Sequence, residues 1–379
     1  MKHYSIGGSS INRVISCPAS VKRIESVDTQ SKSNTAADLG NLLHDAMEVH
    51  YKHNQTFEEM LGVIKFAGMT LNDDHLPALY ALRSHTEAVL DRYDIDVMLL
   101  EPFVELIPGV AGGSIDMLGI SADGKTAMIL DYKTGVSPVR AKENKQVLFY
   151  TLCCLTDPTT APLFKNVVNF IGAIIQPRVH NTADIWEFDL ATLMQAKKQV
   201  LDAVEATKTA TKGVAGSHCH WCAYAPYCPE KRARAESALL LEPRHQKSLN
   251  QALPLALELK AWAQQVIDAA TDYASKGITI NDHKLVNGRG IRKWSDEVAA
   301  GKLLTEHLGI DAFTSKLLSP TQATKLIFKN NLDICLDNLI VKSQGKQALV
   351  HLDDPRDAIT FENSNDILIK ALDNNLAKK

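Results

Sequence analysis

Four cysteines constrain this chain more than any other feature. Cys17 stands near the start, in Ile15-Ser16-Cys17-Pro18, and Cys219, Cys222 and Cys228 stand in Cys-His-Trp-Cys-Ala-Tyr-Ala-Pro-Tyr-Cys. A Cys-x-x-Cys turn chelates metal but is frequent; with Cys228 and Cys17 it makes four thiolates, which suit tetrahedral zinc or a 4Fe–4S cube. His218 and His220 would extend a zinc reading if Cys17 took no part. A site assembled from Cys17 and the distant segment closes a loop of about two hundred residues, so the ends of the intervening unit have to meet in space. Cys153, Cys154 and Cys335 lie in apolar contexts and read as buried core cysteines.

The 379 residues allow two or three domains with a sizeable core. Hydrophobic residues make up 45% and charged residues 22%, an ordinary balance for a soluble globular protein. The net charge of −3 provides no global basic field, so any contact with phosphates requires a local basic groove. No signal-peptide core and no apolar run of membrane-spanning length is visible, which points to a cytoplasmic protein with no membrane partner. There the thiols stay reduced, and clustered cysteines favour metal over disulfides.

Helical periodicity covers residues 36 to 53, 73 to 93, 141 to 155 and 190 to 211. Residues 97 to 100, 112 to 118 and 127 to 132 read as three strands, the last two joined through the Asp-Gly turn of Ala122-Asp123-Gly124-Lys125. Residues 167 to 175 are an apolar run of buried-strand type, and Trp186-Glu187-Phe188 is a short strand. The implied fold is α/β, a mixed sheet flanked by helices. Pro254 to Lys276 reads as one amphipathic helix stopped by Gly277. The expected division is 1–235, a core closed by the cysteine segment, and 236–379, a helix-rich C-terminal domain.

Between the cysteines lie Asp116, in Gly-Gly-Ser-Ile-Asp, and Asp131 and Lys133, in Leu-Asp-Tyr-Lys-Thr. Two carboxylates toward the ends of adjacent hairpin strands can converge on Mg²⁺ or Mn²⁺. Asp131 and Lys133 share a face of a strand, so the lysine can orient and help deprotonate an attacking water. Asp-x-Lys alone is also a common solvated strand end. Gly40 and His44 share one face of the first long helix, where His44 could add an imidazole ligand and Gly40 permits close approach of another backbone. Gln146 and Tyr150 share a face of the helix after the site. Each pair alone is more often structural.

Taken in order, Gly-x-x-x-His, Gly-x-x-Asp, Asp-Tyr-Lys-Thr and Gln-x-x-x-Tyr resemble the PD-(D/E)XK nuclease superfamily in its RecB-like branch. The resemblance covers roughly residues 10 to 232. It implies that His44, Asp116 and Asp131 bind the metal, with a backbone carbonyl between Asp131 and Lys133 as a further ligand. It also implies that Lys133, Asp116 and Asp131 are catalytic, and that Gln146 and Tyr150 touch DNA. The cysteine pattern is similar to that of iron-staple nucleases, the AddB-type helicase–nucleases and the CRISPR adaptation nucleases. That implies a structural 4Fe–4S cluster on Cys17, Cys219, Cys222 and Cys228, with zinc as the alternative. The Ser-rich opening into Cys17-Pro18, and the segment from Gly277 to Trp294, resemble a family of uncharacterised, mostly phage-encoded proteins.

Arg140, Lys142 and Lys145 flank the Gln146 helix and are candidates for phosphate contact. Arg289, Arg292 and Lys293 beside Trp294 could hold a strand by phosphate contact and stacking, or form a solvated turn with Trp294 packed inward. Lys231, Arg232 and Arg234 could contact phosphate or sit on a helix surface. The expected function is metal-dependent DNA hydrolysis, as an exonuclease on ends or single strands. Its setting would be phage replication or recombination in a bacterial cell, beside partners such as a single-strand-binding or annealing protein. The alternatives are a non-catalytic DNA- or partner-binding module on the same fold and a redox iron–sulfur protein. No Gly-x-Gly-x-x-Gly supports the latter.

Overall fold

The computed structural model describes residues 4–27, 35–239, 246–288, 292–313, 317–329, 336–342, 345–351 and 357–359. Arg289 and Cys335 therefore lie outside the described residues. The chain divides into two compact units, Met1–Trp262 and Ala263–Lys379.

The first unit begins with helices α1 (Gly8–Ser16) and α2 (Ser20–Glu25), followed by α3 (Thr35–His53). A small hairpin, β1 (Lys65–Phe66) and β2 (Met69–Thr70), leads to α4 (Leu76–Arg92). Then come β3 (Ile95–Leu100), β4 (Phe103–Ile107), β5 (Ala111–Ser114), β6 (Met117–Ser121) and β7 (Thr126–Tyr132). Helix α5 (Lys145–Thr156), strands β8 (Asn169–Ile175) and β9 (Asp184–Phe188) and helix α6 (Leu190–Ala206) complete the sheet region. Helix α7 (Pro229–Leu239) follows, and then α8 (Gln246–Ser275), whose residues from Ala263 on belong to the second unit. The five-stranded sheet has the order β3-β6-β7-β8-β9. Only β7 and β8 run parallel within it; the sheet is mixed and carries helices on both faces.

The alternation of β7 shows why the layers form. Ala127 and Ile129 pack with α1, α5 and α6 through Ile11, Val14, Val147, Phe149, Leu193 and Val200. Met128, Leu130 and Tyr132 pack on the opposite face with α3 and α4 through Leu42, Met47, Leu79 and Leu82. Period two thus turns Asp131 toward the α5 side. Gly124 closes the β6–β7 hairpin with φ +69°, as its Asp-Gly turn requires.

The stretch expected as one strand from 112 to 118 is two. β5 pairs with β4, a strand not anticipated, in a separate two-stranded sheet, while β6 joins the main sheet. At the break the Ile115 N–H donates to Pro102 O at 3.1 Å. The Asp116 carboxylate takes the Tyr132 N–H at 2.6 Å, replacing a ladder partner with a side chain. Helix α1 was not anticipated either. Helix α8 starts before Pro254 and runs through it; the proline removes one helical bond, and the helix-favouring residues around it continue the turn.

In the second unit β10 (His283–Gly288) pairs with β13 (Gly345–His351), and β11 (Arg292–Trp294) with β12 (Ile340–Lys342), both antiparallel. Helices α9 (Glu297–Leu308) and α10 (Pro320–Lys329) cover a small core that includes Leu304, Ala323 and Ile327. Strands therefore accompany the helices in this unit. Trp294 donates its Nε1–H to Leu318 O at 2.9 Å and packs against that core, the inward of its two expected placements. No helix among the described residues is long and apolar enough to cross a membrane.

Candidate metal centre

The β6–β7 register pairs Met117 with Leu130, so Asp116 and Asp131 stand one step beyond it, opposite each other. From the α3 side, His44 Nδ1 lies 3.4 Å from Asp116 Oδ1. From the α5 side, Gln146 Nε2 donates to Asp131 Oδ1 at 2.6 Å. Lys133 Nζ lies 2.8 Å from Asp131 Oδ2 and donates to Gln146 Oε1 at 3.2 Å. Asn144 caps α5 by accepting the N–H groups of Gln146 and Val147, which fixes the turn that carries Gln146. The His44 ring stands edge-on to Tyr132 at 5.6 Å between centroids. A Cβ on Gly40 would fall 2.9 Å from Thr134 Oγ1, so the close neighbour of this glycine is a side chain on the loop after β7.

One residue was missed. Ligand atoms of His44, Glu101 and Asp116 lie within 4.8 Å of one another, the one such group of three among the described residues. Glu101 follows β3 in a left-handed conformation, φ +50°, and its N–H donates to Asp116 O at 3.2 Å. That geometry turns the carboxylate back toward the β6–β7 end. The available signal was an acid between an apolar strand and Pro102, too common to single out. Asp131 stands beside this trio, engaged by Lys133 and Gln146.

The ionisations are interlocked. Burial works against charge on Asp116, but His44, the Tyr132 N–H and Lys133 outweigh it and hold the carboxyl below its ordinary value. At Asp131, burial together with the charge of Asp116 exceeds the help from Lys133 and raises the carboxyl. Burial also opposes the charged forms of His44 and Lys133, yet Asp116 and Asp131 respectively more than offset it, so both bases are raised. Glu101 is pushed up to about 7, by burial first and by Asp116 second. Crowded carboxyls that resist ionising together are the condition a divalent cation relieves.

The trio opens into a cleft of ≈ 510 Å³, lined also by Gly7, Gly8, Ser9, Asn41 and Tyr150. Tyr150 is buried, with its ring against Gly8. Arg140 and Lys142 are exposed and Lys145 half-buried, with Arg140 Nη1 3.7 Å from Asp184 and Lys145 Nζ 3.4 Å from Gln199. A hollow of ≈ 590 Å³ beside Tyr93, Trp186 and Thr192 holds none of the expected site residues.

The cysteine segment is organised differently. Cys17 follows α1, and its Sγ accepts the Val214 N–H at 3.3 Å. Cys219 Sγ accepts the Gly216 N–H at 3.4 Å. Val214 bridges two of the cysteines, its N–H on Cys17 Sγ and its O 4.0 Å from Cys219 Sγ, and burial raises the Cys222 thiol. Cys228 instead faces Glu230, its thiol donating to Oε2 at 3.3 Å. Arg23 grips Glu230 with both nitrogens, at 2.6 and 3.0 Å, and donates to Thr211 O at 2.8 Å. The two ends of the core therefore meet, but among the described residues the sulfurs do not form a compact group like the His44 trio. His218 Nε2 is engaged with Val214 O at 2.8 Å. Cys153 and Cys154 are fully buried.

Lys231 and Arg234 are taken up by Glu258 of α8, at 3.6 Å and 2.6 Å respectively. Lys231 is buried, so neither the phosphate-contact nor the surface placement describes it. Arg232 pairs with Glu236 on the exposed face of α7.

A family model described as "Protein of unknown function (DUF2800)" matches residues 3–357. No curated protein matches the chain. Among solved structures, a "Putative exonuclease" from Eubacterium rectale is 12% identical over 58% of this chain and 85% of its own, with a TM-score of 0.33. The protein SSO0001 is 14% identical over 56% of this chain and 94% of its own, with a TM-score of 0.22. Likenesses this weak carry no argument.

Proposed function

The chain belongs to the DUF2800 family, and we propose that it is a divalent-metal-dependent nuclease acting on DNA, as an exonuclease on ends or single strands. The observation that carries this reading is the juxtaposition of two sets of groups. A trio of metal-ligating atoms on His44, Glu101 and Asp116 stands beside a lysine fastened to Asp131 and Gln146. Oxygen donors with one imidazole suit Mg²⁺ or Mn²⁺. Asp131 supplies a further carboxylate at the margin. When bound, the cation would polarise the phosphate and neutralise charge developing on it.

The chain's own groups do the rest. Gln146 and Asp131 hold the Lys133 ammonium in one place, where it can orient an attacking water and stabilise the charge that develops. Asp116, fixed by the Tyr132 N–H and His44, keeps the hairpin end rigid. Arg140, Lys142 and Lys145, which flank the Gln146 helix, are proposed to contact phosphates of the strand. DNA is preferred to other phosphodiesters on the resemblance of the motif set, and the same resemblance motivates a role in phage replication or recombination. Cys17, Cys219, Cys222 and Cys228 are proposed to hold a 4Fe–4S cluster, with zinc as the alternative. The backbone N–H groups aimed at Cys17 and Cys219 are donors of the kind that stabilise thiolates.

The test uses anaerobically purified protein on end-labelled single-stranded, double-stranded and circular DNA, with Mn²⁺, Mg²⁺ or chelator. Cleavage that needs the cation is expected. A chain that binds these DNAs without cutting any of them would be the non-catalytic module instead.

A further inference from the structure

The first turn of α1 forms one wall of the cleft that holds the carboxylates. Gly7 is its N-cap, with φ −133° and ψ 175°, and its own N–H is satisfied by Ser10 Oγ at 2.9 Å. The Ser10 N–H folds back on Gly7 O at 3.0 Å. The N–H groups of Gly8 and Ser9 have no acceptor within the helix, and both residues line the cleft. Gly8 is required here because a Cβ would fall 2.4 Å from the Tyr150 ring.

Tyr150 supplies an independent observation. The residue is only 7% exposed. Its hydroxyl lies between the first turn of α1 and β5: Cβ atoms on Gly8 and Gly113 would stand 2.7 and 3.0 Å from it. Tyr150 lines the cleft, and among the described residues its hydroxyl has no hydrogen-bond partner. A nine-tenths-buried donor without a partner, beside two helix-terminal N–H groups, is an arrangement that an anion completes. The charged residues lining the same cleft are Asp45, Glu101, Asp116 and His44. The α1 wall adds backbone donors and the Tyr150 hydroxyl to this cleft, while burial first and then Asp131, Asp116 and Glu101 raise that hydroxyl, so a phosphate seated there relies on the cation beside it.

We propose that the N-terminus of α1, with the Gly8 and Ser9 N–H groups and the Tyr150 hydroxyl, is a phosphate-binding subsite that seats a backbone phosphate of the substrate strand beside the metal centre. This rests on reading the cleft as one that takes nucleic acid. The subsite sets where the strand enters, while the chemistry stays with the carboxylates and Lys133. Ser9 and Tyr150 are thus positioning residues.

The test separates binding from cleavage. In a Lys133→Ala background with Mn²⁺, binding of a fluorescent single-stranded oligonucleotide is measured by anisotropy. Ser9→Asp should weaken binding about tenfold by placing a charge against the phosphate. The same acid in the first turn favours the helix dipole, so the melting temperature should stay level or rise. Ser9→Lys should bind at least as tightly as Ser9, and in the active chain Ser9→Asp should raise KM far more than it lowers kcat. A purely structural role would not give opposite signs for binding and stability. Wild-type binding by Ser9→Asp, equal weakening by Ser9→Asp and Ser9→Lys, or no oligonucleotide binding by the parent overturns the subsite. Failure of the wild-type chain to cleave DNA, with Ser9-dependent binding intact, would remove the nuclease reading and leave the subsite standing.

Discussion

The carboxylate cleft and the cysteine segment are both assembled from distant parts of the chain, but they are held in different ways. In the cleft, protein groups fix one another: Gln146 and Lys133 on Asp131, Tyr132 N–H and His44 on Asp116. At the cysteines, the two ends are joined by groups around the sulfurs, among them the Val214 N–H on Cys17, Arg23 on Glu230 and Thr211 O, and the packing of α1 on α6, while Cys228 is turned to Glu230. A site with its own hydrogen-bonded scaffold keeps its geometry when one member is changed conservatively. A site whose members meet chiefly through a shared ligand does not, and metal binding there is coupled to folding. Conservative changes in the cleft should accordingly remove activity without removing structure, whereas the cysteine segment should lose structure first.

The largest expected effect is at Asp116. Asp116→Ala should abolish cleavage and, by leaving the buried Tyr132 N–H without its acceptor, destabilise the fold by about 1–3 kcal/mol. Asp116→Asn, which can still accept that bond, should be as inactive but melt closer to wild type. Cleavage assays with thermal melts of both variants separate the two roles, and an active Asp116→Asn chain would break the metal assignment.

Next comes the staple. The metal cross-link proposed between Cys17 and the Cys219–Cys228 segment would constrain a long unfolded loop, by analogy with a disulfide worth about 3 kcal/mol or more. Cys17→Ser should lose the bound metal, melt early and cut weakly, although Cys17 takes no part in chemistry. Iron, zinc and sulfide analysis of anaerobic protein identifies the metal. Full metal content and stability in Cys17→Ser would sink the staple.

Glu101→Gln should sharpen the comparison on the cleft side. Removing one of three anionic or imidazole donors should raise the Mn²⁺ needed for half-maximal activity by about tenfold or more, with little change in melting. An unchanged Mn²⁺ requirement would return the third ligand position to Asp131. The smallest effect is expected at Arg23→Ala, which removes a partly exposed ion pair and should cost about 1 kcal/mol. It should move the melting temperature and leave the Mn²⁺ dependence alone.

The sequence showed most clearly those parts where local chemistry decides position. The Asp-Gly turn closes the β6–β7 hairpin, period two turns Asp131 and Ile129 to one side, and helical spacing sets Gln146 and Tyr150 one turn apart. The structure places His44 beside Asp116, and Lys133 and Gln146 on Asp131, with Glu101 rather than Asp131 completing the trio of ligand atoms. What escaped depends on tertiary packing. Glu101 reaches the cleft only through a left-handed backbone after β3, and the β5–β6 break exists because a side chain on Asp116 replaces a ladder partner. Lys231 and Arg234 looked like free cations because Glu258, their partner, lies on another helix. The wall formed by Gly7 and Gly8 was illegible because their role is to let Tyr150 and β5 come close.

The most direct measurement is cleavage of end-labelled DNA by wild type and Lys133→Ala at equal concentration with Mn²⁺, with thermal melts of both. Among the described residues the Lys133 ammonium engages Asp131 and Gln146, so the account predicts a variant that melts near wild type and does not cut, beside a wild-type chain that does. Equal cleavage by the two chains, or none by wild type on any DNA, would contradict it.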